Sequence, residues 1–257
     1  MTLVCRTQNT VAITLIAIAG LAASFDARAA GRDGEYAAFL QRVVAETTKS
    51  GFTVRSTREL RAGTTSGKHQ GWMAVDTVQG SAGEFTWTVL TEGGSERTRN
   101  KVFRELLQAE AQAWRDGSKD AAALTPANYE FVPLPTSADA PVRIQLKPRR
   151  EDTRLVDGTL TVSDDGRPIQ LEGRLAKSPS FWVRNVTIVK HFAQIGDIAL
   201  PTLIESVADV RLVGQATFSM RYDYRELNGR NVSHVGAAAA TPPRAAFALA
   251  SLRPRSN

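Results

Sequence analysis

The sequence predicts an α+β protein built on one strongly curved antiparallel sheet, an open half-barrel with helices over its concave face. Three observations carry this. Ten extended segments follow one another, mostly separated by short turns, which favours antiparallel neighbours over parallel βαβ units. Two helical patterns occur, both in the first half of the chain. A sheet of about ten strands must curl, split or close, and a half-barrel leaves an interior suited to a ligand.

Residues 1–29 have the parts of a secretory signal. Arg6 supplies the basic start, VAITLIAIAGLAA from Val11 to Ala23 the short apolar core, and Ala27-Arg28-Ala29 the small-residue exit. Cleavage after Ala29 would remove Cys5, the one cysteine, and leave an exported chain without thiol or disulfide chemistry. Tyr36, Phe39, Leu40, Val43 and Val44 then recur at helical spacing over 34–50, with a stop at Gly51. Extended segments follow near 52–62, 69–79 and 83–91, the last alternating Phe85, Trp87 and Val89 against Glu84, Thr86 and Thr88. Ser95 is a plausible N-cap for a second helix with Val102, Phe103, Leu106, Leu107, Ala113 and Trp114 as its stripe. Glu110 lies on the apolar side of that helix and requires a basic partner that the sequence does not name.

Beyond residue 127 the pattern is β: 128–134, 141–148, 154–163, 167–175, 181–192, 199–212 and 215–226. Asp164-Asp165-Gly166 reads as a hairpin turn, and Asn228-Gly229 closes the last strand. One domain is expected over 30–235, with a disordered Ala/Pro/Arg-rich tail over 236–257.

No catalytic constellation is evident. His69, His191 and His234 are far apart, and nucleophile-elbow, phosphate-loop, dinucleotide and metal motifs are missing, so neither enzymatic activity nor a metal or other cofactor is expected. The formal charge is +6; without Arg6, Arg28 and Asp26 it is +5. In an exported protein that charge suits anionic lipid or an acidic partner, and nucleic acid is not expected. The aromatic positions are the other signal. Trp72, Phe85, Trp87, Val89, Trp182, Phe218, Met220 and Tyr222 are candidates to line an acyl-chain cavity. Lys147, Arg149 and Arg150, with Arg154 nearby, are candidates to receive acidic headgroups at its mouth.

Several segments in order resemble the outer-membrane lipoprotein-sorting, LolA-like family. These are Gly83–Phe85 through Glu92–Gly94, Phe103–Leu107 with Glu110, Ile144–Asp152 leading to Leu155–Gly158, Leu171–Leu175, Ile195–Pro201 with Glu205-Ser206, and Phe218–Tyr224 with Asn228-Gly229. The resemblance spans about 35–229. It implies a half-barrel closed by helices, a hydrophobic cavity for lipid or lipoprotein acyl chains, a periplasmic location and no enzymatic activity. The function expected is a carrier-like protein of lipoprotein sorting or envelope lipid trafficking. It would be a monomer with transient membrane contact and with protein partners at the inner and outer membranes. The competing expectation is a protein-binding or envelope-stress sensor module on the same fold.

Overall fold

The computed structural model describes residues 27–137, 140–212 and 214–232, with side chains from Gly34 onward. The expected signal lies outside this range up to Asp26, and the expected tail lies wholly outside it. Residues 1–37 and 38–257 are separate compact units. The described part of the first is the start of helix α1 (Ala27–Thr47). The second contains every described strand.

The frame of this second unit is an eleven-stranded sheet in which every pairing is antiparallel. The strands are β1 (Val54–Thr64), β2 (Gly71–Gln79), β3 (Phe85–Gly94), β4 (Tyr129–Pro133), β5 (Val142–Pro148), β6 (Val156–Val162), β7 (Pro168–Leu175), β8 (Val183–Ile195), β9 (Ile198–Val210), β10 (Gly214–Leu227) and β11 (Arg230–Asn231). The α+β class and the open antiparallel sheet are as expected. The strand order is not a simple meander. It runs β3-β2-β1-β10-β9-β8-β7-β6-β5-β4, with β11 paired to β10. Two meanders are joined where β1 lies against β10, so β3 and β4 occupy opposite edges although they are consecutive in the chain. The segment between them must cross a sheet face, and this is why a helix covers it.

That crossing begins with α2 (Glu96–Thr98), continues through a π-helical stretch (Arg99–Arg104) and ends in α3 (Glu105–Arg115), with a 3₁₀ turn at Ser118–Ala122. Ser95 caps it, its Oγ accepting from the Thr98 N–H at 3.3 Å. Phe103, Leu107 and Ala111 are buried against Leu60, Met73, Val75, Phe85 and Met220 of the sheet. The expected stripe is thus partly displaced. Val102 and Leu106 stay 39% and 37% exposed, because the face that meets the sheet is centred on Phe103 and Leu107.

Two local devices shape the sheet. Leu90 is an unpaired bulge residue: Val75 pairs with Val89 and Ala74 with Thr91. The inserted residue exchanges the faces of everything after it. Glu92 therefore stands beside Met73 on the inner face, where Arg99 and Arg104 of the helix meet it at 2.7 and 2.8 Å. Gly158 and Gly173 oppose each other across β6 and β7. A Cβ on either would lie 2.6 Å from the other's Cα, so only paired glycines permit this approach, a device typical of sharp sheet bends.

The turn chemistry is as the sequence implies. Gly166 has φ +87° in the β6–β7 hairpin, and Asn228 and Gly229 have φ +52° and +73° between β10 and β11.

Candidate functional site

Alternation along β1 sends Val54, Ser56, Arg58, Leu60, Ala62 and Thr64 to the face covered by the helix. Toward the Thr64 end of this face the inward residues become small. Ala208 stands opposite Ala216, and Ser206 opposite Phe218, across β9 and β10. With the beginning of the helical run standing over them, they leave an apolar groove of about 360 Å³, bounded on the helix side by Thr98, Lys101 and Val102. A cavity survives here because alanine and serine stop short of the helix. Two to four residues further along β10, the larger Met220 and Tyr222 occupy the corresponding positions and are buried.

The aromatic candidates divide accordingly. Phe218 lines the groove, its ring 6.4 Å from that of Phe103. Phe85, Met220 and Tyr222 are buried in the close-packed core, and Trp87 and Val89 pack against it. Trp72 and Trp182 lie outside both the groove and the core. Trp72 alternates with buried Met73 onto the opposite face, 41% exposed, and its ring lies over Gly93, where a Cβ would come within 2.7 Å. Trp182 precedes β8 rather than lying in a strand, and is 54% exposed.

Glu110 finds its partner in Arg58. The guanidinium of Arg58 donates to both carboxylate oxygens, at 2.6 and 3.1 Å, linking β1 to α3. It is sandwiched between the rings of Phe85 and Tyr222, 4.8 and 4.9 Å from their centroids. Burial pushes the Tyr222 and Tyr224 hydroxyls up, which keeps both neutral; that of Tyr224 donates to the Pro201 carbonyl at 2.6 Å.

The basic cluster is bonded to the segments around it. Arg149 donates to the carbonyls of Pro126 and Tyr129, and Arg150 to Asn128 Oδ1 and the Ala121 carbonyl, so Arg150 pins the 3₁₀ segment, and Arg149 the loop after it, to the sheet. Lys147 lies 3.7 Å from Glu130 on the neighbouring edge strand. Arg154 engages Asp152 through its backbone N–H and its guanidinium, at 2.8 to 3.0 Å. These bonds hold the Asp152 carboxyl well below the usual carboxylate range. A depressed folded-state value stabilises the protein above the unfolded value near 3.9, and the contribution disappears as pH falls below it. Between pH 5 and 2 the wild type is therefore expected to lose stability more steeply than Asp152→Asn, as measured by urea unfolding at each pH.

Lys190 faces a second cavity. On β8, Val186, Ile188, Lys190 and Phe192 alternate to one side, and Lys190 stands opposite Leu171 and the inward Ile204. Among the described residues no acid forms a salt bridge with it, and burial lowers its pKa. It lines a cavity of about 780 Å³ together with Phe52, Trp114, Phe192 and Leu200. Its position is two residues, roughly 7 Å at strand rise, beyond the Ile188–Ser206 pair that reaches the groove. The signal was present in the sequence as a lysine in an apolar stripe.

Among the described residues no helix is long and apolar enough to cross a membrane, and no group of three His, Cys, Asp or Glu could hold a metal ion. No family model and no curated protein matches the chain. Solved structures that resemble it include the following three. A LolA superfamily protein from Nitrosomonas europaea shares 14% identity over 76% of this chain and 93% of its own, with a TM-score of 0.41. An outer membrane lipoprotein-sorting protein domain from Vibrio parahaemolyticus shares 11% over 77% and 92%, also at 0.41. A DUF1329 family protein from Desulfovibrio piger shares 10% over 78% and 93%, at 0.36. Similarity this remote transfers neither ligand nor activity.

Proposed function

We propose that the protein binds lipid or lipoprotein acyl chains on the concave face of its sheet, and that it acts in the periplasm as a carrier in lipoprotein sorting or envelope lipid trafficking. The observation that supports this best is the apolar groove itself: small side chains on four strands, roofed by a helix, with Phe218 at its inner end. Each methylene sheltered there contributes about 0.8 kcal/mol, so a short stretch of chain already gives useful affinity. Lys190, on the same sheet face, offers an acidic headgroup a cation that no acid among the described residues pairs with. In this reading the headgroup role assigned to Lys147, Arg149 and Arg150 passes to it. The export signal and the segmental resemblance to LolA-like proteins point the same way.

The test is mass spectrometry of the protein purified from the periplasm without detergent, comparing native and denatured masses. A stoichiometric acylated species is the expected result. A protein that remains empty after incubation with phospholipids and lipoproteins would overturn the proposal.

A further inference from the structure

Beside the groove the surface changes character. The loop before β8 and the turn between β9 and β10 lie together, with the Arg211 N–H donating to the Trp182 carbonyl at 2.9 Å. Phe181 and Trp182 pack edge to face, 5.5 Å between centroids. The Arg211 guanidinium lies 3.6 Å from the Phe181 ring centroid. Phe181 is 66% exposed, Trp182 54% and Leu212 96%. Leu212 also has φ +68°, a conformation that glycine adopts freely and leucine rarely. Packing among the described residues does not explain a leucine that occupies a strained turn position and is 96% exposed.

We propose that the Phe181–Trp182 loop and the Arg211–Leu212 turn form a membrane-contact surface that seats the mouth of the groove against an anionic bilayer. Trp and Phe at loop tips match the amphipathic interfacial layer of a bilayer, and arginine matches its anionic headgroups. Arg211 and the exposed Arg184 supply positive charge, and Arg97 adds more at the groove. Asp209, which stands opposite Arg184 across β8 and β9, is held by Asn185 at 3.0 Å. The position matters as much as the composition. Val183 and Val210 adjoin Trp182 and Arg211 in the chain, and both line the groove. An acyl chain leaving a membrane at this surface would enter the groove without crossing water. That use of the surface rests on the acyl-chain reading; the contact itself does not.

The experiment is cosedimentation of the exported, processed protein with vesicles of phosphatidylglycerol and phosphatidylethanolamine, and with pure phosphatidylcholine as the neutral comparison. The wild type is expected to bind the anionic vesicles, and more weakly as salt rises. The triple variant Phe181→Ser, Trp182→Ser, Leu212→Asn is expected to bind at least tenfold less, with an unchanged urea midpoint. In vesicle-free solution it should take up a fluorescent fatty acid as the wild type does. Absence of vesicle binding by the wild type, or equal binding by the folded triple variant, would overturn the proposal and turn attention to a protein partner for this surface. Vesicle binding lost in the variant, with no fatty-acid uptake by either protein, would support the contact surface while removing the acyl-chain reading.

Discussion

Glu110→Leu is expected to lower the unfolding free energy by about 3 kcal/mol, read as a reduced urea midpoint at unchanged slope. The carboxylate is the ion-pair partner of a guanidinium whose side chain is 6% exposed, and the substitution would leave that charge buried and uncompensated. Glu110 itself is 29% exposed, which places the cost toward the low end for a broken buried pair. The Nε of Arg58 already lacks a hydrogen-bond partner, so the site has little capacity to absorb a further loss. The double variant Arg58→Met, Glu110→Leu should recover most of the stability, because it removes both charges and keeps the volume between Phe85 and Tyr222 filled. A single-variant cost below about 1 kcal/mol would mean that solvent reaches Arg58 and that the pair contributes little to holding α3 on the sheet.

Ala208→Phe is expected to reduce acyl-chain binding more than tenfold while leaving the unfolding free energy within about 0.5 kcal/mol of wild type. Ala208 and Ala216 face each other on the groove floor, and a ring at 208 would project into the open space. Displacing two methylenes of a bound chain, at about 0.8 kcal/mol each, already corresponds to a loss of roughly tenfold. Fluorescent fatty-acid titration of both proteins measures it. Unchanged affinity in the folded variant would move the binding site away from this groove, with the cavity at Lys190 the next place to look.

Much of the architecture is written in local pattern. The strand segments, Ser95 as N-cap, the Asp164-Asp165-Gly166 and Asn228-Gly229 turns and the amphipathic helices depend on neighbours within a few residues, and a linear reading reaches them. The aromatic candidates show where that reading stops. Phe85 and Phe218 both sit on apolar strand faces, yet one fills the core and the other borders empty space. The difference lies in what stands opposite. A search for cavity residues among the largest side chains selects those that eliminate cavities, whereas Ala208 and Ala216 leave one open. Arg149 and Arg150 show the same limit, since a basic run looks identical whether its donors meet solvent or the carbonyls of a folded loop.

The chain's own pattern therefore specifies that this is an antiparallel sheet protein, where its strands turn, and that an acid on its second helix must have a cationic partner. It is the tertiary structure that sets β1 against β10, brings Arg58 to Glu110, turns Glu92 inward through one bulged leucine, and holds a helix away from a floor of alanines. Each of these depends on residues far apart in sequence, and the energy of a contact is determined by the partner that folding supplies.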